Sequence, residues 1–209
     1  MSRFYKAMRA IVSFIFKTIF RIKVEGTENI PKKGGFILCC NHLSFTDPIF
    51  LGIFCPRQVF FMSKAELFKN KFSAWFFGKL GAFAVNRGTG DTGAVKNAEE
   101  VIASGNIMGI FPEGTRNVQG GAPKKAKAGI AMIAAHTKAD ILPACVYRED
   151  KLHPFSKTTV RFGELIPFEE LGFEGEEGAK KSALRFASER IMEKITKLWE
   201  KGHNGTFTG

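Results

Sequence analysis

Short runs of apolar residues recur along the chain, and turn residues close each of them. Residues 36–40, 82–85 and 107–111 are such runs, bounded by glycine, asparagine or proline. Their length of about 4 to 8 residues and their Ile, Val and Phe content are typical of buried strands. Helical stretches at 94–104 and 179–199 alternate with them. The pattern predicts one α/β domain with a mixed, largely parallel central sheet flanked by helices.

Residues 1–23 predict an amphipathic helix. At about 100° per residue, one arc collects polar residues and the opposite side collects apolar ones. The polar set is Arg3, Lys6, Arg9, Ser13 and Lys17, and the apolar set is Met8, Ile11, Val12, Ile15, Phe16 and Ile19. A basic face opposite an apolar face is typical of a helix lying in a bilayer interface, whereas a membrane span needs about 20 apolar residues. We therefore expect a membrane-docking element. The alternative is a helix packed on the core of the domain.

A histidine and an aspartate five residues apart follow the run 36–40. His42 stands at the carboxyl end of this predicted strand, and Asp47 precedes Pro48, as a helix N-cap followed by proline would. On a continuous helix their side chains would diverge by about 140°, but a strand-to-helix turn can fold the carboxylate back onto the imidazole. Asp47 would then fix the tautomer of His42, which becomes a candidate general base. The alternative is a helix-capping aspartate beside an unrelated histidine.

Two further predicted strands end in charged groups. The run 107–111 leads into Glu113, Gly114 and Arg116, and the run 82–85 leads into Arg87. An arginine fork matches the geometry of a phosphate, glycine lets the backbone approach a ligand, and glutamate can hold an arginine or a substrate hydroxyl. Ligands bind outside the carboxyl ends of parallel strands. The sequence therefore predicts an anion site near His42.

Residues 88–93 match the spacing G-x-G-x-x-G, which also occurs in dinucleotide-binding folds. They follow a predicted strand and precede a predicted helix, and Glu113 stands about 20 residues on, where a ribose-binding acid belongs. The motif alone is weak, and Glu113 already belongs to another motif. We interpret 88–93 as a loop in which Asp91 or Thr92 caps the following helix.

Composition and charge narrow the class of protein. The chain has 209 residues, 44% of them hydrophobic, and four cysteines without C-x-x-C spacing. These cysteines predict reduced, buried thiols in a cytosolic setting, not disulfides or a zinc site. The net charge of +11 is concentrated in residues 1–163, which hold 24 Lys and Arg against 11 Asp and Glu. Such a field attracts anionic lipid headgroups or phosphorylated thioester carriers. Nucleic acid is not expected, because no nucleic-acid motif is recognisable.

Four motifs, taken in order, resemble those of one enzyme family. They are N-H-x-S-x-x-D-P at 41–48, G-A-F-x-V-x-R at 81–87, F-P-E-G-T-R at 111–116 and a hydrophobic strand with proline at 141–144. In this order they resemble the 1-acylglycerol-3-phosphate acyltransferases of phospholipid synthesis. A departure is Asn70-Lys71, which follows Lys69 where such enzymes often carry a more apolar stretch. That difference bears on contacts with an acyl chain or a membrane.

The resemblance implies roles for particular residues. His42 and Asp47 would form the catalytic dyad. Asn41, Ser44 and Pro143 would shape the site. The residues expected to bind the substrate phosphate are Arg87, Glu113, Gly114, Thr115, Arg116 and Lys127. The resemblance implies no metal and no bound cofactor.

The implied reaction transfers an acyl group to the sn-2 hydroxyl of 1-acyl-sn-glycerol 3-phosphate, giving phosphatidic acid. Acyl-CoA or acyl carrier protein would be the co-substrate. The alternatives are another lysolipid acceptor and a non-catalytic, basic membrane-binding protein on the same scaffold. The protein would lie peripherally or monotopically on the cytoplasmic face of a membrane, against lysophosphatidic acid and anionic phospholipids.

The predicted organisation has four parts. The N-terminal amphipathic helix covers 1–23, and the acyltransferase catalytic domain covers 24–168. An acidic linker and a C-terminal helix of the same domain cover 169–202, and 203–209 form a tail.

Overall fold

A seven-stranded sheet forms the centre of the molecule, in a computed structural model that describes residues 1–85, 92–173 and 180–203. The strands are β1 (Arg21–Glu25), β2 (Phe36–Cys40), β3 (Val59–Lys64), β4 (Ala82–Val85), β5 (Ile107–Ile110), β6 (Ile141–Tyr147) and β7 (Lys157–Phe162). Their order across the sheet is β1-β7-β6-β2-β5-β3-β4. Strands β6 and β7 pair antiparallel, and every other neighbouring pair is parallel. The predicted mixed, largely parallel sheet is confirmed.

Helices cover both faces of this sheet. Those in the described residues are α1 (Arg3–Ile19), α2 (Asp47–Phe54), α3 (Lys71–Lys79), α4 (Thr92–Ala103), α5 (Gly129–Thr137) and α6 (Lys181–Glu200). Short 3-10 turns lie at Thr27–Asn29, Ala65–Phe68 and Phe168–Leu171. Helix α6 begins two residues after the predicted start. Arg87, most of the loop 88–93, residues 174–179 and the tail from 204 onward lie outside the described residues.

Strand β2 lies in the middle of the sheet because all five of its residues are apolar and buried. Alternate side chains point to opposite faces of a strand. On one face Leu38 packs in a cluster with Phe50 of α2. On the other face Ile37 packs in a cluster with Ile130 of α5 and Ile191 of α6. The carboxyl end of β2 thus lies between α2 on one face of the sheet and α5 and α6 on the other, and His42 follows soon after it.

Two strands were absent from the predicted pattern, and a third is longer than predicted. Strand β1 pairs with β7, so the predicted domain boundary after residue 23 falls inside the sheet. Strand β3 belongs to an aromatic stretch without the turn residues that bounded the other runs. Strand β6 extends to Tyr147, beyond the predicted 141–144. This extension places Arg148 at the same edge as His42.

Helix α1 packs against α2 through part of the face that was predicted to be polar. The Tyr5 hydroxyl donates to the Gly52 carbonyl at 3.2 Å, and the Arg9 Nε donates to the Ile53 carbonyl at 3.0 Å. Because the carbonyl end of a helix carries partial negative charge, Arg9 is favourable there. Arg9 belongs to the predicted polar arc, and the structure places it against the domain.

A second sector of α1 remains apolar and exposed. Its residues are Ile11, Phe14, Ile15 and Ile19. In the described parts of the chain, no helix combines the length and the apolar character that crossing a membrane requires.

Candidate active site

The turn between β2 and α2 brings His42 and Asp47 together. His42 Nδ1 lies 3.0 Å from Asp47 Oδ2. Asp47 is fully buried, whereas 15% of the His42 side chain is exposed. With Nδ1 bound to the carboxylate, Nε2 is the nitrogen that can accept a proton from a substrate. The geometry is that of a general base oriented by a carboxylate.

The Asp47 carboxylate also holds the turn closed. Its Oδ2 accepts the backbone N–H groups of Leu43 at 2.6 Å and Ser44 at 2.7 Å. Thr46 occupies the N-cap position, and Asp47 is the first residue of α2. The prediction of Asp47 as N-cap is therefore wrong by one residue. Its side chain reaches back into the preceding turn, which is why it meets His42.

Ser44 shapes the same turn. Its hydroxyl accepts the Thr46 hydroxyl at 3.0 Å and the Thr46 N–H at 3.3 Å. The Asp47 N–H donates to the Ser44 carbonyl at 3.2 Å. These bonds hold the turn that carries His42 and Asp47, and a role of Ser44 in the reaction site stays a prediction.

Arg148 completes the surroundings of Asp47, and the sequence reasoning missed it. Its Nη2 donates to Asp47 Oδ1 at 2.7 Å, and 3% of the Arg148 side chain is exposed. The guanidinium also lies over the Phe50 ring, 5.6 Å from the ring centroid. The available signal was a charged residue following a strand, the same signal that identified Arg87 and Glu113. The predicted strand ends at 144, so in the sequence pattern Arg148 does not follow it directly.

Asn41 explains how Arg148 reaches this position. The side-chain amide of Asn41 donates to the Val146 carbonyl at 3.0 Å, and its oxygen accepts the Val146 N–H at 2.9 Å. The two bonds continue the pairing of β2 with β6 past the last paired residues, Cys40 and Ala144. A buried amide thus sets the spacing between the two strand ends, and the site-shaping role of Asn41 stays a prediction.

Glu113 holds the backbone of the site instead of facing a ligand. Its Oε1 accepts the His42 N–H at 2.8 Å, and its Oε2 accepts the Lys124 N–H at 3.1 Å. The residue is 3% exposed. Both carboxylate oxygens are engaged, and a carboxylate repels a phosphate. The predicted role of Glu113 as a phosphate ligand is therefore corrected to that of a clamp between the two motifs.

The segment after Glu113 gathers cationic side chains at the surface. Gly114 has φ +68°, and a Cβ there would lie 2.7 Å from Cδ of Lys127, so the lysine chain passes directly over the glycine. The Lys127 N–H donates to the Pro112 carbonyl at 2.9 Å. Thr115 and Arg116 are exposed. Gly114, Thr115, Arg116 and Lys127 thus lie together, and phosphate binding by them stays a prediction.

An aromatic stack supports the imidazole. The centroid of the Phe111 ring lies 4.0 Å from that of the His42 ring, at an interplanar angle of 18°. The Phe61 ring in turn stacks on the Phe111 ring, with the two centroids 5.8 Å apart. The Asn117 N–H donates to the His42 carbonyl at 2.6 Å. Phe111 and Asn117 therefore connect the second motif to His42 through contacts that the sequence analysis did not anticipate.

Pro143 lies on the other side of the sheet. It pairs with Cys39 in register, and a Cβ at Gly163 would meet both the Pro143 ring and Leu198 of α6. The ring thus faces α6, whereas His42 and Asp47 lie on the α2 side. Any influence of Pro143 on the floor of the site runs through the β6 backbone, and that role stays a prediction.

The cysteines are free and buried. Burial raises the pKa of the Cys39 and Cys40 thiols well above the ordinary value, which disfavours the nucleophilic thiolate. Within the described residues, no three His, Cys, Asp or Glu side chains are grouped to hold a metal ion.

Comparison with known proteins gives consistent matches. A family model described as Acyltransferase matches residues 21–147. A protein of Bacillus subtilis named 1-acyl-sn-glycerol-3-phosphate acyltransferase is 37% identical over 59% of this chain and 61% of its own length. A Streptococcus pneumoniae protein of the same name is 27% identical over 94% of this chain and 75% of its own. The chain thus spans about three fifths of the Bacillus relative.

A solved structure shares the fold. The crystal structure of the 1-acyl-sn-glycerophosphate (LPA) acyltransferase PlsC from Thermotoga maritima superimposes with a TM-score of 0.71 at 26% identity. The match covers 97% of this chain and 81% of that one. Helix α1 and the sheet are therefore both within the region of structural similarity.

Proposed function

The chain belongs to the acyltransferase family, and on that premise we propose that it acylates the sn-2 hydroxyl of 1-acyl-sn-glycerol 3-phosphate to give phosphatidic acid. The observation that carries the proposal is the His42 Nδ1 to Asp47 Oδ2 contact of 3.0 Å, beside an exposed cationic segment. The names of the relatives support the acceptor. The donor is proposed to be a thioester, of either coenzyme A or acyl carrier protein.

The proposed mechanism uses one base. His42 Nε2 accepts the proton of the sn-2 hydroxyl while the oxygen attacks the thioester carbonyl. The C–S bond then breaks, and the imidazolium returns the proton to the departing thiolate. A general base contributes about 10² to 10⁴ in rate. Positioning of the acceptor by the cationic segment supplies a further part of the rate enhancement, because it makes the attack effectively intramolecular.

The decisive experiment identifies the products by mass spectrometry. The purified protein is incubated with lysophosphatidic acid, lysophosphatidylcholine or lysophosphatidylglycerol, each with palmitoyl-CoA or palmitoyl carrier protein. Phosphatidic acid with equimolar free thiol is the expected product. Acylation confined to another lysolipid would reassign the acceptor. No acyl transfer with any pair would leave a non-catalytic membrane-binding protein as the better interpretation.

Arg116→Ala is expected to raise the KM for lysophosphatidic acid about tenfold, because an exposed guanidinium suited to phosphate would be lost. The KM for the thioester should change little. Initial rates measured while each substrate is varied separate the two effects. Arg185→Ala is the matched control, since Arg185 is an exposed arginine on α6, on the opposite face of the sheet. An increase confined to the KM for the thioester would contradict the proposal that Arg116 binds the phosphate of the acceptor.

We also propose that the protein rests on the cytoplasmic face of a membrane through α1 and α3. Phe14 is 73% exposed on α1, and Phe72 and Trp75 are 72% and 51% exposed on α3. The Phe4 ring lies 5.4 Å from the Trp75 ring, which joins the two helices into one apolar surface. Lys6 and Lys17 of α1 and Lys71 of α3 are exposed as well, and such lysines favour anionic lipid. Phe45, inside the His42–Asp47 turn, is 71% exposed as well.

The paired change Ile11→Ser and Phe14→Ser is expected to weaken binding to phosphatidylcholine vesicles containing phosphatidylglycerol by about tenfold or more, since two apolar side chains would no longer enter the interface. Co-sedimentation with vesicles measures the binding. Phe186→Ser on α6 removes an apolar side chain that is 51% exposed elsewhere, and it should leave the binding unchanged. Equal loss in both variants would argue against this docking surface.

A further inference from the structure

The segment between β5 and α5, residues 111–128, holds His42 from several sides. Its Glu113 carboxylate accepts the His42 N–H at 2.8 Å, and its Asn117 N–H donates to the His42 carbonyl at 2.6 Å. Its Phe111 ring stacks on the imidazole. The same segment carries the exposed cationic side chains proposed to bind the acceptor phosphate. We propose, as an extension that rests on the proposed acyl transfer, that Asn117 is a positioning residue linking this segment to His42, so that binding of the phosphate also places the base.

Asn117 anchors the segment in the domain. The structure describes all of residues 111–128, and they form neither helix nor strand. A loop of this length without secondary structure is uncommon in a compact domain and usually has a function. Within 114–129, likewise described in full, Asn117 is the single buried residue, with 3% of its surface exposed, whereas its neighbours Arg116 and Val118 are exposed. The position of the segment therefore depends on how Asn117 is held.

Hydrogen bonds of this anchor join His42 to the far part of the segment. While the Asn117 N–H donates to the His42 carbonyl, the side-chain Nδ2 of Asn117 donates to the Ala122 carbonyl at 3.2 Å. Glu113 makes a similar bridge, because its Oε1 accepts from His42 and its Oε2 accepts the Lys124 N–H at 3.1 Å. A displacement of residues 122–124 thus acts on the backbone of His42 through two side chains.

Cations stand towards both ends of the segment. Arg116 directly precedes Asn117, and the Lys127 side chain passes over Gly114, where a Cβ would lie 2.7 Å from Lys127 Cδ. A phosphate held by both cations fixes these two parts of the segment relative to each other, because charge-assisted hydrogen bonds are strong and directional. Binding energy from a part of the substrate that does not react can in this way orient the reacting groups. Asn117, next to Arg116, passes this orientation to the His42 backbone.

The test divides the acceptor into two pieces. 1-Palmitoylglycerol has the sn-2 hydroxyl but no phosphate, and inorganic phosphite supplies the missing anion as a separate molecule. Acylation of 1-palmitoylglycerol by the wild-type protein, from the palmitoyl thioester that it accepts, is measured with phosphite and with sodium chloride at equal ionic strength. Phosphite should raise kcat/KM for 1-palmitoylglycerol about tenfold, within the usual range of coupling between two sites. Sodium chloride should have no such effect, and a wild-type rate that phosphite leaves unchanged would overturn the inference.

Asn117→Ala removes the bond to the Ala122 carbonyl, so phosphite should raise its rate by about twofold or less. A merely structural role would instead lower the rate by the same factor with and without phosphite, and the ratio of the two rates would stay as in the wild type. Val118→Ala is the matched control with an unchanged ratio, because Val118 lies next to Asn117 with 64% of its surface exposed. If Asn117→Ala does not fold, Asn117→Ser, whose hydroxyl is one bond shorter than the amide, replaces it with the same expectation.

The outcomes separate this inference from the proposed function. If the wild type is active and Asn117→Ala keeps the wild-type ratio, the inference is overturned and the acyl transfer stands. If the wild type is inactive with every acceptor, the proposed function fails, and NMR spectra of the isotope-labelled protein still test the link. Phosphite should then shift the backbone amide signal of His42 in the wild type and much less in Asn117→Ala. Equal shifts in both proteins, or none in either, would overturn the inference.

Discussion

Replacing His42 by alanine is expected to lower kcat and kcat/KM together by about 10² to 10⁴, the usual contribution of a general base. The imidazole is held at Nδ1 by Asp47 and on one ring face by Phe111, so Nε2 is presented to the substrate in a fixed orientation. No neighbouring side chain of the described site is a base in an equivalent position, because Glu113 and Asp47 are buried and engaged in hydrogen bonds. Product formation from lysophosphatidic acid measures the loss.

The fold should survive this change. The His42 side chain is partly exposed, and the backbone bonds that hold the turn, from His42 to Glu113 and from Leu43 to Asp47, do not involve the imidazole. Circular dichroism and thermal unfolding check the fold. His153→Ala is the matched control, since His153 is an exposed histidine outside the motifs, and its activity should equal that of the wild type. Wild-type turnover in His42→Ala would falsify the assignment of the base.

Asp47→Asn is expected to have the second large effect, and it should lower both activity and stability. The amide is neutral, so the buried Arg148 would lose its counter-charge. Breaking a buried ion pair from one side costs about 3 to 5 kcal/mol in free energy of unfolding. The amide nitrogen must also face donors in either rotamer, because Asp47 accepts bonds at both oxygens. We expect kcat to fall by about 10² or more, since His42 loses its orientation and the partner of its imidazolium.

Glu25→Gln is the control for the stability component. Glu25 Oε2 accepts from Arg161 Nε at 2.5 Å, which is another carboxylate paired with a buried arginine, but at the β1–β7 edge of the sheet. Chemical denaturation and steady-state rates are measured on both variants. Glu25→Gln should lose stability and keep kcat. If Asp47→Asn also kept kcat, then Asp47 would be only a structural residue of the turn, as the capping alternative stated.

The strands and helices that could be predicted were those whose signal is local. The apolar runs at β2, β4 and β5 have glycine, asparagine or proline at their ends, and such punctuation needs no knowledge of the neighbours. Strand β3 lacks this punctuation, and β1 alternates charged and apolar residues at the sheet edge. Their strand conformation depends on pairing with β5 and β7, which lie far away in the chain.

The faces of α1 show a similar limit. The helix could be predicted from its period, but its packing surface could not. Arg9 belongs to the polar arc, and it lies against the carbonyl end of α2, where a positive charge is favourable. Periodicity reports which residues share a side of a helix, and the neighbour decides which side is buried.

The sequence by itself determined that His42 and Asp47 meet, because both lie within one strand-to-helix turn and five residues of chain bring them into contact. It also determined that a glycine and cationic residues follow a second strand. The tertiary structure alone decided what surrounds the dyad. Glu113 is 71 residues from His42, and Arg148 is 101 residues from Asp47. Their contacts depend on the order of β5, β2 and β6 in the sheet and on the register that the Asn41 amide sets with Val146. A local motif specifies its own turn, but strand order and register arise from the whole buried core, so the contacts that surround the dyad become visible only in the folded chain.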